Sequence, residues 1–186
     1  MAARKIVTPL TDDVVRSLHA GDEVAISGVV YQARDAAHKR LVALLEAGEP
    51  LPFELQGAVV YYMGPSPTKP GAVIGSAGPT TSGRMDAYAP TLMSHGLKGM
   101  IGKGLRTPEV KQAMAAAPAV YFAATGGAGA LLARRIVGNE VIAYPELGPE
   151  AIARLTFDDF PAIVVNDCHG ADLYEEGRKT YARQER

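Results

Sequence analysis

The 186-residue sequence has no tryptophan, one cysteine and four phenylalanines, and each shortage closes a line of interpretation. The lone cysteine, Cys168, excludes an internal disulfide framework and any all-cysteine metal site within the chain. Lys plus Arg number 19 against 20 Asp plus Glu, so the basic excess of a general nucleic-acid binder is missing. Nowhere do about 18 apolar residues run without charges or turn residues, so no membrane-spanning helix is expected. The opening MAARKIVTPLTDDVV has two basic residues but no apolar stretch of secretory-signal length. The resulting expectation is a cytoplasmic protein that engages neither nucleic acid nor membrane.

What is present is aliphatic. Hydrophobic residues make up 47% of the chain and charged residues 21%, a balance that excludes a disordered polymer. A chain this long buries roughly 70% of its unfolded surface. It needs no metal or disulfide to hold a core. No internal repeat, low-complexity tract or linker interrupts it, so one domain over residues 1–186 is expected, with a core at about 11–174 and a charged tail at 175–186.

Short apolar runs alternate with helical patterns, which predicts an α/β domain. EVAISGVVYQ, Glu23 to Gln32, has strand character. Asp35 stands where a helix cap would, and Ala37, Leu41, Leu44 and Leu45 share one helical face up to Gly48. Further strands are predicted at Ala58–Met63, Val73–Ala77, Lys98–Gly102, Val120–Ala124, near Val141 and at Ala162–Val165. Helices are predicted after Pro79, with Thr80, Thr81 or Ser82 as cap, after Thr107-Pro108, and from the Gly126–Gly129 turn through Arg135.

The most informative stretch is GSAGPTTSGRMD, Gly75 to Asp86: glycines, a turn proline, three hydroxyl residues and an arginine ahead of a helix. Backbone N–H groups, hydroxyls and Arg84 would there converge on an anion. The plainer reading of the same residues is ordinary helix caps and a solvated arginine. Arg34, in YQARDAAHKR, and Lys103, in IGKG, also stand at strand ends. Three cations at such junctions fit a cleft for a small dicarboxylate, because strand ends face one crevice in α/β architectures. GGAGALLA lacks the third glycine of a dinucleotide fingerprint, and GMIGKGLR lacks the Ser or Thr of a phosphate-binding loop. His38, His169 and Cys168 read as structural residues.

The runs ARDAAHKR, GSAGPTTSGRMD, GMIGKG, YPELGPEAI and FDDFPAIVVND resemble the β subunit, or C-terminal half, of class I iron–sulfur-dependent fumarate hydratases, a family shared with L-tartrate dehydratase β subunits. The likeness extends from about Thr11 to Tyr174. It implies a three-layer β/β/α swivelling domain and reversible hydration of fumarate to L-malate. It implies a [4Fe–4S] cluster held by a separate α subunit and not by this chain, in a heterodimer or a heterotetramer. Carried over by position, Arg34 and Arg84 bind the substrate carboxylates, Thr80 transfers a proton, and Lys103 stabilises its alkoxide-like form. The competing readings are an L-tartrate dehydratase β subunit and a non-catalytic dicarboxylate-binding module.

Overall fold

Two long strands, β2 (Glu23–Gln32) and β7 (Ile152–Asn166), run antiparallel along nearly their whole length, from Glu23 opposite Ile163 to Gln32 opposite Ala153. The computed structural model describes residues 3–182. From β2 the sheet continues in parallel through β3 (Val59–Tyr61), β4 (Gly99–Gly102) and β5 (Val120–Ala123), and β5 pairs antiparallel with the end of β7. These five strands therefore close on themselves as a barrel-like sheet. β1 (Arg4–Val7) extends it beside the first half of β2, and β6 (Ile136–Ala143) beside the first half of β7.

Closure creates two cores. Val59, Tyr61, Ile101, Val120 and Phe122 point inward with Ile26, Val30, Leu155, Phe157 and Phe160. Their neighbours Val60, Tyr62, Met100 and Tyr121 point outward under the helices α2 (Asp35–Ala47), α3 (Ala89–Ser94) and α4 (Pro108–Ala116). Strands buried on both faces carry apolar residues at successive positions, not in alternation. That is why β3, β4 and β5 stand out as short apolar runs. Inside, Phe157 and Phe160 stack at 4.2 Å and Tyr61 meets Phe160 edge-on at 5.3 Å. The Tyr61 hydroxyl, buried among them, donates to the Ala77 carbonyl at 2.6 Å.

The α/β expectation holds, and β2 occupies the predicted residues. Gly48 closes α2 at φ 68°, and Thr107-Pro108 opens α4 as expected. Other elements differ. Val73–Ala77 is a loop, not a strand: Ser66 and Ser76 bind each other's backbone and side chain, and Ala77 donates to Gly129. These contacts satisfy polar groups that a ladder would otherwise take. After Pro79 the chain makes only a 3₁₀ turn, Ser82–Met85, before α3. The next short helix, α5 (Gly129–Ala133), ends before Arg135.

β7 is 15 residues long, where only Ala162–Val165 was predicted. The acidic pair Asp158–Asp159 looks like a break, but Asp159 adopts φ 47° where the β2–β7 register shifts, and the strand continues beyond it. The segment expected as a charged tail begins as the helix α6 (Leu173–Tyr181), whose first N–H groups are capped by Asp172. Residues 183–186 of that tail lie outside the described residues. β1 and the helix α1 (Asp12–Arg16) carried no sequence expectation. No helix among the described residues is long and apolar enough to cross a membrane.

One glycine sets the approach between the sheet and the Ser82 turn. A Cβ at Gly102 would run into Ser82 Oγ and stand 3.1 Å from Tyr62 Cδ2. Ser82 cannot retreat, because its hydroxyl is hydrogen-bonded to the Tyr121 hydroxyl at 2.8 Å in the core. Gly102→Ala is therefore expected to destabilise the protein by about 1–3 kcal/mol through overpacking. Urea unfolding with an unchanged slope and a lower midpoint would show it.

Candidate active site

The C-terminal ends of β2, β3 and β4 lie side by side because these strands are parallel neighbours. The segment Pro79–Ser82 crosses two of these ends as an extra extended piece. Thr80 N–H donates to the Tyr62 carbonyl at 2.7 Å, Lys103 N–H donates to the Thr80 carbonyl at 3.2 Å, and Ser82 N–H donates to the Lys103 carbonyl at 2.9 Å. Lys103 is thus bridged in parallel to Thr81, and the preceding Thr80 is held to it by its carbonyl. Neither Thr80 nor Thr81 caps a helix with its side chain, and Ser82 Oγ is occupied by Tyr121, so the capping expectation for the three hydroxyl residues fails.

Arg34 ends the β2 side of this rim and occupies the cap position of α2. Its guanidinium fills the space over Gly64, where a Cβ would sit 2.8 Å from Arg34 Nη1. Arg84 projects from the Ser82–Met85 turn. Both arginines approach Asp35: Arg84 Nη2 lies 2.9 Å from Asp35 Oδ2, and Arg34 Nε lies 3.9 Å from Asp35 Oδ1. Glu150 holds Arg34 from the other side at 3.2 Å and also accepts from Ala36 N–H at 3.3 Å. Glu150 thereby caps α2 from the end of the distant 3₁₀ segment Pro145–Glu150. Asp35, the expected cap, is the first helical residue, with its carboxylate turned to the arginines.

Beneath this rim is a buried polar floor. Asp86 accepts from Arg106 Nε at 2.7 Å and from Thr107 N–H at 2.8 Å. The Arg106 side chain is fully buried, with its guanidinium near the rings of Tyr62 (5.5 Å) and Tyr121 (4.9 Å). The Tyr121 hydroxyl also bonds the Gly104 carbonyl, and so ties the loop after Lys103 to the Ser82 turn. His38 is buried beside Tyr62 and hydrogen-bonds the Arg34 carbonyl through Nδ1 at 2.8 Å. A carbonyl only accepts, so Nδ1 carries the proton. Burial pushes the imidazole down to about 4, which leaves His38 neutral at ordinary pH.

The structure thus gathers Arg34 and Arg84 on one carboxylate and holds the Thr80–Thr81 backbone against Lys103, with three residues of chain between Thr80 and Arg84. Lys103 extends past Gly126, where a Cβ would stand 3.9 Å from its ammonium. Arg84 and Lys103 are exposed, so the site is an open rim and not an enclosed cavity. A hollow of about 570 Å³ beside α6, lined by Leu173, Tyr174 and Tyr181, contains none of these groups.

Cys168 and His169 belong elsewhere. His169 bonds the Arg16 carbonyl and stacks on His19 at 4.8 Å, against α1. Among the described residues no three His, Cys, Asp or Glu side chains come together as a metal-binding group. A half-buried single thiol, raised above its ordinary range by burial, does not fit an iron–sulfur cluster. Sequence reasoning missed Asp35, Glu150, Asp86 and Arg106. Asp35 and Asp86 each stand within two residues of a flagged arginine, the one signal that pointed to them.

Residues 3–177 match the family model described as fumarase C-terminus. The anaerobic class I fumarate hydratase of Escherichia coli K12 is 39% identical over 155 residues, covering 82% of this chain and 28% of that protein. Fumarate hydratase 2 of Leishmania major is 38% identical over 158 residues, covering 84% of this chain and 28% of that protein. The chain thus spans little more than a quarter of those relatives. A Methanocaldococcus jannaschii protein provisionally named L(+)-tartrate dehydratase subunit beta matches at 38% over 181 residues, covering 94% of this chain and 93% of its own.

Two outcomes follow from the buried floor. Asp86→Ala would leave the Arg106 guanidinium buried without its counter-charge, and a loss of about 3–5 kcal/mol in unfolding free energy is expected. His38 is neutral when folded but takes up a proton below about 6.5 when unfolded, so the folded state loses ground as pH falls from 6.5 towards 4. That contribution is about 3 kcal/mol across the window. His38→Asn should flatten this part of the stability–pH curve relative to the wild type.

Proposed function

This chain belongs to the fumarase C-terminus family, and from that premise we infer that it is the β half of a class I hydro-lyase. It supplies the carboxylate-binding and proton-transfer residues for the reversible hydration of fumarate to L-malate. The observation that carries this reading is the gathering of Arg34, Arg84, Thr80 and Lys103 on one rim. The near-complete match to a protein named as a β subunit supports a two-chain arrangement, and it makes L-tartrate dehydration the second reading.

A four-carbon dicarboxylate presents two anionic ends, and the two guanidinium groups each suit one. Hydration forms a carbon–oxygen bond at one alkene carbon and places a proton on the other. In the reverse direction that proton leaves the carbon beside a carboxylate, and negative charge builds on the carboxylate oxygens. An arginine held against those oxygens stabilises that charge as it develops. We assign the carbon-bound proton to Thr80 Oγ1. A threonine hydroxyl is a weak base, so the role requires the Lys103 ammonium near its alkoxide-like form. The Lys103 N–H bond to the Thr80 carbonyl, beside the parallel bridge of Lys103 with Thr81, keeps the two backbones adjacent and supports this pairing of roles.

The iron–sulfur cluster implied by the resemblance does not fit the side chains of this chain, and we assign it to a separate cluster-bearing α subunit. The open rim accords with a partner that supplies the opposite wall. We read residues 1–186 as one domain of the three-layer β/β/α swivelling type, working in the cytoplasm.

The test is to co-express the chain with a cluster-bearing partner, reconstitute it anaerobically and assay fumarate and L-tartrate. The chain alone is expected to be colourless and inactive. Turnover of L-tartrate but not fumarate would select the second reading, and dicarboxylate binding without turnover would reduce the chain to a binding module. In the active complex, Thr80→Val should lower kcat by about 100-fold or more with little change in KM, whereas Thr80→Ser should retain much of the activity. A valine variant with normal kcat would remove Thr80 from the chemistry.

A further inference from the structure

The contact between Asp35 and the two arginines has no adequate structural explanation. Its side chain is 32% exposed and that of Arg84 is 47% exposed, a setting in which an ion pair contributes little to stability. Glu150, not Asp35, accepts from the Ala36 N–H in the first turn of α2. Yet Asp35 stands where the elements carrying Arg34 and Arg84 meet, two positions far apart in sequence. Two buried atoms there lack hydrogen-bond partners, Asp35 Oδ1 and the Arg34 Nε that faces it at 3.9 Å. The two are a donor and an acceptor of opposite charge, so the Asp35 carboxylate faces Arg34 with one oxygen and Arg84 with the other.

We propose that Asp35 is a positioning residue, a tether that sets the spacing and direction of the two carboxylate-binding arginines. The inference rests on the assignment of Arg34 and Arg84 to substrate binding. Asp35 takes one N–H of Arg84 through Oδ2 and leaves the other donors of that guanidinium for a ligand. Its place in the first turn of α2 suits a negative charge, so the helix stabilises the carboxylate as an anion. Asp35 also reduces the positive charge offered to a dianion. A residue that only weakened the site in this way would make binding tighter when removed. A tether makes it weaker. The two outcomes have opposite signs.

The experiment compares Asp35→Ala and Asp35→Asn in the reconstituted two-chain complex, with melting curves confirming that both fold. Asp35→Ala is expected to raise KM for the dicarboxylate by about tenfold or more, with a smaller change in kcat. Asp35→Asn keeps an oxygen acceptor for Arg84 and should stay within about threefold of the wild type. The alanine effect should largely vanish in an Arg84→Met background, because the tether then has nothing to hold. A lower or unchanged KM in Asp35→Ala would overturn the proposal. Arginine side-chain nitrogen relaxation on the folded chain gives a separate readout, with Arg84 expected to lose order in Asp35→Ala. If the wild-type complex turns over neither fumarate nor tartrate, the functional reading fails. An Arg84 equally ordered with and without Asp35 would then still refute the tether.

Discussion

The pairing of β2 with β7 is the constraint on which the architecture depends. Without it, β2 to β5 would form an open parallel sheet with one face for helices and another in need of cover. With it, the sheet covers its own inner face, and the aromatic cluster of Tyr61, Phe157 and Phe160 fills the space. The outer face is then free for α2, α3 and α4, and the ends of β2, β3 and β4 open on the same side. Arg34, Gly64 and Lys103 owe their proximity to that parallel order more than to any contact among themselves.

Electrostatics on the rim reflects two opposed demands. Binding a dianion calls for uncompensated positive charge, whereas keeping long arginine side chains in one geometry calls for partners. Asp35 and Glu150 meet the second demand at some cost to the first. The floor resolves the same conflict differently. Arg106 is withdrawn from solvent and paired with Asp86 between two tyrosine rings, so it acts as a fixed cationic post under the loops. His38 remains neutral above it and adds no further charge.

The parts of the fold legible in the sequence are those whose signal is local. β2 to β5 carry concentrated apolar residues, and the Thr107-Pro108 and Gly48 helix boundaries are matters of backbone chemistry. β7 was mostly hidden because its acidic bulge resembles a turn, and a bulge is recognisable only against its partner strand. Val73–Ala77 has strand-like side chains but no neighbour to pair with. At the site, cations at strand ends were legible because position along the chain implies a common edge. Asp35 and Glu150 were not, since charge compensation is a tertiary fact. Arg106, flanked by leucine and threonine, has the local pattern of a solvated residue, and only the fold reveals its burial.

The closing pair also governs how the chain is made. On a ribosome, β2 emerges more than a hundred residues before β7, while β1 and β3 are near in sequence. During that interval the β2 edge destined for β7 offers a row of unpaired amides and carbonyls, with the inner aromatic pocket not yet filled. Competition from other nascent chains is strongest then, since an open edge accepts any extended backbone. Synthesis speed and protection of that edge, more than the final stability of the barrel, would therefore govern the yield of native protein.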